Sequence, residues 1–176
     1  YILECGRLSP SSFGLEHWHL FAVRSRDVVA RLKKACFDQD AVGTASLVVV
    51  ALARREWAYD PDGPFIASRG CRFPGGLSVF RDDYRGHYNY LAANGLTDHW
   101  ARAQCYIASA NMMTGAASAG IDSCAIEGYD NLAVLDLLGM DAGKWETGIV
   151  TVFGYSAEEA PREKIRMPAS EIVTYV

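Results

Sequence analysis

From Ala103 to Gly120 the chain carries no charged side chain, and small residues (Ala108, Ser109, Ala110, Gly115, Ala116, Ala117, Ser118, Ala119) occupy nearly every face of that stretch. Thr97 or Asp98 is a suitable N-cap and Gly120 a suitable left-handed stop, so the spacing predicts one long helix over residues 98–120. A helix with no polar face must be buried nearly all round. A chain of 176 residues has little material to surround it, so part of its cover is expected from a second copy, and a homodimer is predicted.

The rest of the sequence reads as one α+β domain over residues 1–176. Half of the residues are apolar and 22% are charged, enough to build a core and too little charge for a disordered chain. Residues 20–23, 47–53 and 148–154 are β-branched or Leu- and Phe-rich runs expected as strands, with 172–176 as a possible terminal strand pairing with them. Residues 27–36 place Val28, Val29, Leu32 and Ala35 on one stripe opposite Lys33 and Lys34, an amphipathic helix covering one sheet face. A shorter helix is expected from Asp130 as cap to Gly139 as stop, with Leu132, Leu135 and Leu138 toward the core. Tyr1 to Leu3 reads as the middle of a helix. Turn signals in DPDGP and FPGG, and the alternation of Tyr84, Tyr88 and Tyr90 with charges, mark a loop or lid excursion over about 57–96.

Charge and composition exclude several classes. A formal charge of -4 offers no general attraction for nucleic acid or anionic lipid. The longest apolar run, residues 47–53, is far shorter than the ~20 residues of a membrane-spanning helix. Five scattered cysteines form no C-x-x-C pair, which is expected of reduced thiols in a cytoplasmic protein. No dinucleotide-binding, P-loop, serine-hydrolase or zinc-protease motif occurs. His17 and His19 would share a face if extended, so they are either a metal pair or ordinary packing at a strand entry, and no carboxylate cluster completes a metal site.

Three polar patches remain. Ser9-Pro10-Ser11-Ser12-Phe13-Gly14 is either a hydroxyl-lined ligand loop or a capped turn. Ile126-Glu127-Gly128-Tyr129 lies between a buried strand and the helix capped by Asp130, with Gly128 permitting close backbone approach. Lys164-Ile165-Arg166 puts two cations on one side of an extended segment, either a phosphate grip or a solvated face.

Taken in order, LSPSSFGLEHWHLF, ACFDQ followed by ASLVVVALARR, HWARAQCYIASANMMTGAASAGIDSCAIEGYD, VFGY and KIRMP resemble the FMN-dependent nitroreductase family over essentially the whole chain. The resemblance implies a mixed sheet wrapped by helices in an intertwined homodimer, with the long charge-free helix at the dimer core and FMN bound where the subunits meet. It assigns Pro10, Ser11, Ser12 and Gly14 to a loop that reaches the partner's flavin, and Asp38 to the pyrimidine end of the ring. Ala125, Ile126, Glu127 and Gly128 would lie beside the ring, with the backbone N–H of Glu127 or Gly128 toward flavin N5. Lys164 and Arg166 would hold the phosphate, and Phe80, Tyr84 and Tyr88 would form either a substrate lid or ordinary packing. The implied activity is transfer of reducing equivalents from NADH or NADPH to nitroaromatics, quinones or similar flat acceptors by a ping-pong mechanism, with no acid or base side chain required. The alternative is a flavin-binding or apo structural dimer without turnover.

The sequence departs from the family pattern where Gly14 and Asp38 replace Asn, where His17 and Ala125 replace Pro, and where Ala41 replaces a basic or polar residue. A carboxylate at Asp38 would oppose an anionic reduced flavin. The family's first helix, with its basic arm, corresponds to a segment ahead of Tyr1, which leaves Lys164 and Arg166 to carry the phosphate.

Overall fold

The computed structural model describes residues 1–157 and 163–176. Four strands form the sheet: β1 (Trp18–Val23), β2 (Leu47–Arg54), β3 (Asp122–Ile126) and β4 (Trp145–Gly154), in the order β1-β2-β4-β3. The expected sheet was mixed, but every pairing among the described residues is antiparallel. β2 and β4 are central and apolar on both faces, with Val48 to Ala53 and Thr147 to Phe153 all buried. Strands buried on both sides read as continuous apolar runs, which is why these two were the plainest in the sequence. β3 closes one edge and is largely exposed, with only Ile126 buried, so it is not the buried strand expected there.

Helices cover both faces. On one side α2 (Arg26–Ala35), α3 (Asp40–Thr44) and α7 (Asn131–Leu137) pack Val29, Leu32, Val42, Val134 and Leu135 onto Val48, Val50, Leu52, Val150 and Val152. On the other lie α1 (Ile2–Arg7), α4 (Pro64–Gly70), α5 (Gly76–Ala93) and α6 (Thr97–Ser118). Asp130 caps α7 by accepting from the Ala133 N–H at 3.1 Å, and Gly139 follows with φ +67°. Leu135 is buried as expected, but Leu132 is 65% exposed.

Two further expectations are corrected. The 57–96 excursion is mostly helix, since α4 and α5 occupy it. Its sequence hid this because the apolar residues of α5 are interleaved with charges, while Phe80, Tyr84 and Leu91 still fall on one buried stripe. Residues 172–176 join no ladder among the described residues: α8 (Ala169–Ile172) is a single turn, and the segment beyond it is exposed.

The long helix α6 ends as expected, with Gly120 at φ +70°. In one chain, however, only one side of it is covered. Gln104, Cys105, Ala108, Ser109, Met112, Gly115 and Ala116 face the sheet and α1, whereas Ala103, Ile107, Ala110, Asn111, Thr114 and Ala117 form an exposed stripe. Small residues let the buried side approach closely. A Cβ placed on Gly148 of β4 would lie 2.6 Å from Cys105 Cβ and 3.0 Å from the Ala51 carbonyl oxygen, neither of which can swing aside. Gly148→Ala is therefore expected to overpack this contact by about 1–3 kcal/mol. A calorimetric melt should show a midpoint lower by roughly 5 °C, at about 2–4 °C per kcal/mol for a domain of this size.

Candidate functional site

The edge of the sheet at β3 opens onto a cleft of about 950 Å³, lined by Thr44 and Ala45 from α3, Asp122, Ser123 and Cys124 from β3, and Lys164 and Arg166 from the C-terminal segment. The two cations thus come to lie across from an exposed strand edge. Both are exposed, and the Arg166 Nη1 donates to the neighbouring Ile165 carbonyl at 2.7 Å.

β3 leads directly into Glu127 and Gly128, both exposed beyond the last paired residue, Ile126. This turn is held from two sides. Gln39 Nε2 donates to the Gly128 carbonyl at 2.8 Å and to the Cys36 carbonyl at 2.9 Å, tying the segment to the turn that carries Asp38. Phe37 and Asp38 both have left-handed φ, 56° and 58°, a conformation uncommon for residues with a side chain and typical of functional corners. A Cβ on Gly128 would sit 3.2 Å from Gln39 Nε2, so glycine is what allows this approach. On the other side, Tyr106 of α6 donates its hydroxyl to Glu127 Oε1 at 2.6 Å and accepts from Arg102 Nη2 at 3.3 Å. Burial and this acceptor carboxylate both raise the Tyr106 hydroxyl above its ordinary pKa.

The serine loop lies elsewhere in the subunit, against the middle of α6. The Ser12 N–H donates to Gln104 Oε1 at 3.0 Å, and Ser11 Oγ accepts from the Glu16 N–H at 2.9 Å. Asn111 Nδ2 donates to Ser9 Oγ at 3.0 Å, and Ser9 Oγ donates to the Cys5 carbonyl at 2.8 Å. Two of the three hydroxyls are thus engaged within the fold. Within one chain, Pro10, Ser11, Ser12 and Gly14 do not line the cleft that holds Lys164 and Arg166.

His17 and His19 are separated by the sheet. His17 precedes β1 and is fully buried against Trp100 at 4.4 Å and Tyr59 at 5.3 Å between ring centroids, while His19 is exposed on the other face beside Phe21 and Trp145. The alternation that would have paired them does not extend back past Trp18.

Of the two readings for Phe80 and Tyr84, lid or packing, packing describes them: they are core residues of their own subunit at 1% and 0% exposure. Tyr84 stacks on Phe80 at 5.6 Å and donates its hydroxyl to the Tyr59 carbonyl at 2.8 Å. Tyr88 is half-buried at the margin of the same cluster. Aromatic periodicity alone does not separate a lid from the inner face of a helix.

The residues that hold the site in place were less visible than those expected to bind. Gln39, Gln104, Arg102 and Tyr106 were not anticipated. Gln104 stands out in retrospect as a long polar side chain within the charge-free helix. Gln39 and Tyr106 carry no local signal, because their partners lie 89 and 21 residues away.

The β3 cleft thus joins an open strand edge with two cations, and the strand runs on into a close glycine turn. Residues 1–155 match the model of the nitroreductase family, and the chain belongs to that family of FMN-dependent oxidoreductases. It is 36% identical to the Putative NAD(P)H nitroreductase of Staphylococcus haemolyticus over 99% of this chain and 84% of that protein. It is 33% identical to the Putative NAD(P)H nitroreductase YfkO of Bacillus subtilis over 100% of this chain and 85% of that one. Among solved structures, a nitroreductase from Exiguobacterium sibiricum crystallised in complex with FMN shares the fold with a TM-score of 0.74 and 23% identity, covering 99% of this chain and 83% of that one. Among the described residues, no helix is long and apolar enough to cross a membrane.

Proposed function

We propose that this chain binds FMN in the β3 cleft and passes reducing equivalents from NADH or NADPH to nitroaromatics, quinones or similar flat acceptors, donor and acceptor occupying the same face in turn. The observation that carries the reading is the placement of Lys164 and Arg166 in one cleft with the exposed edge of β3, which runs on into Glu127 and Gly128. The donor set suits the group. Two cations would take a phosphate, and an open strand edge followed by a glycine turn leaves room for a planar ring.

FMN supplies the hydride chemistry when bound. The chain's own residues bind and orient. Lys164 and Arg166 would hold the phosphate, Ala125 to Gly128 would flank the ring, and the N–H of Glu127 or Gly128 would donate toward N5. Gln39 and Tyr106 fix that turn from opposite sides, so the donor is preorganised instead of being recruited at each turnover. Asp38 would add negative charge at the pyrimidine end and disfavour an anionic reduced ring.

The same reading includes a homodimer. The exposed stripe of α6, with Ile107 at 40% exposure, and the apolar side chains Ile165, Met167, Ile172, Val173 and Tyr175 along the C-terminal segment offer surface that a second copy would cover. In such a dimer Pro10, Ser11, Ser12 and Gly14 would reach the partner's cleft, which accounts for their distance from their own.

Purified protein is expected to be yellow or to turn yellow on addition of FMN, to migrate as a dimer, and to oxidise more than one equivalent of NADH or NADPH per flavin only with an acceptor present. Parallel double-reciprocal lines over NADPH and nitroaromatic concentration would support donor and acceptor alternating at one face. Protein that binds FMN and forms a dimer but oxidises no NADH or NADPH with any quinone or nitroaromatic would instead be the non-catalytic flavin protein.

A further inference from the structure

A second, smaller cavity of about 220 Å³ lies between the serine loop and the α4–α5 turn, away from the β3 cleft. Its walls are Phe13, Phe73, Pro74 and the edge of Phe80, with Phe80 meeting Phe13 and Phe73 edge-on at 6.1 and 5.4 Å. Its polar groups are Arg69, Arg72 and Glu16. Arg72 Nη1 contacts Glu16 Oε1 at 2.9 Å and Arg69 Nη2 contacts Glu16 Oε2 at 3.6 Å, so one carboxylate faces two guanidinium groups. Arg54 lies near enough to add to the positive field at Arg69. Arg69 Nε is buried without a hydrogen-bond partner among the described residues, and Arg72 Nη2 donates to the Gly14 carbonyl at 3.4 Å.

The backbone here is held in an unusual shape. Phe13, Gly14 and Glu16 all have left-handed φ, at 55°, 63° and 53°. Two of these carry side chains, a conformation that persists only where the surroundings enforce it. The distortion turns Phe13 and Glu16 into the cavity and leaves a surplus of one cation among aromatic walls. At about 220 Å³ the chamber is smaller than the roughly 300–1,000 Å³ of pockets for drug-sized ligands, so its occupant is no larger than a single ring. An arginine fork matches a planar carboxylate with two parallel N–H donors.

We propose that this cavity binds the anionic end of a single-ring aromatic carboxylate, and that Arg69 and Arg72 select for acceptors bearing such a group. The inference rests on the proposed flavin reading for its catalytic meaning, since Phe13 and Gly14 continue the loop assigned to the partner's flavin. It stands on the cavity alone for its binding.

The test uses the FMN-loaded protein with 4-nitrobenzoate as the anionic acceptor and nitrobenzene as the neutral one. Arg72→Gln removes one fork at a half-exposed position and is expected to lower the ratio of kcat/KM for 4-nitrobenzoate over nitrobenzene by about tenfold. Arg72→Lys, which keeps the charge and loses the fork, is expected to restore only part of it. If the two arginines merely fasten the loop to Glu16, both acceptors lose rate together, the ratio stays fixed, and the proposal is overturned. Should the protein turn over no acceptor at all, the flavin reading fails while equilibrium binding still decides the cavity. Benzoate bound by the parent protein, detected by ligand-observed NMR and weakened by Arg72→Gln, supports the site, with benzamide as the uncharged control. Benzoate that does not bind, or binds no better than benzamide, rules it out.

Discussion

Replacing Lys164 and Arg166 together by Ala is expected to weaken FMN binding about 100-fold, because each removes a charge-assisted contact to phosphate and each such contact is expected to contribute about tenfold at an exposed site. Both side chains are exposed and neither supports the core, so the melting temperature of the flavin-free protein should hardly move. The loss should be specific to the phosphate. Riboflavin, which has the ring and no phosphate, should bind the double variant as it binds the parent. The parent's FMN affinity should also fall with added salt, and the variant's much less. Fluorescence quenching of FMN and riboflavin in parallel titrations measures both. Equal losses for the two ligands would mean that the cations act on the fold or the ring and not on a phosphate.

The expected binding residues and the structure that supports them differ in how well a sequence displays them. β2, β4 and α6 were legible because each repeats one physical property over many residues: apolar on both faces for the strands, uncharged and small from Ala103 onward for the helix. Asp130 and Gly139 were legible as ends because capping is local chemistry, complete within a few residues. α5 was missed because its buried stripe of Phe80, Tyr84 and Leu91 is diluted by Arg81, Asp82, Asp83 and Arg85, two of which, Arg81 and Arg85, lie within ion-pair distance of Asp62. The site itself was legible only as separate patches. What brings Gly128 to the turn that carries Asp38 is Gln39 reaching 89 positions along the chain, and nothing in the neighbourhood of either residue announces it. The choice between lid and packing for Phe80 and Tyr84 stayed open for a related reason: an aromatic ring every fourth residue fits a helix's inner face as well as a pocket wall, and only the third dimension shows them packed.

Acid should destabilise this protein earlier than its carboxylates alone would, and His17 is the expected cause. Its ring is fully buried, and neither nitrogen has a hydrogen-bond partner among the described residues. Burial, with the nearby charges of Arg54 and His87, pushes its pKa from 6.5 down to about 3. The unfolded chain therefore takes up a proton near pH 6.5 that the folded chain refuses until about pH 3. Because the folded value is depressed, the contribution is fully present above pH 6.5 and is lost as pH falls through that window. One proton corresponds to about 1.4 kcal/mol per pH unit, so between pH 6.5 and pH 4 the loss approaches ~3 kcal/mol. Substituting His17→Leu removes the titrating group and two unpartnered nitrogens while keeping most of the volume that packs against Trp100 and Tyr59. Denaturant unfolding at pH 7 and pH 4 should then show a stability difference smaller in the variant by roughly 2–3 kcal/mol. Carboxylates such as Asp40 and Asp62, held low by Lys33 and Arg85, titrate in both proteins and cancel in the comparison. If parent and variant lose the same stability over this range, His17 is already satisfied or already charged in the fold, and the acid response must come from those surface pairs instead.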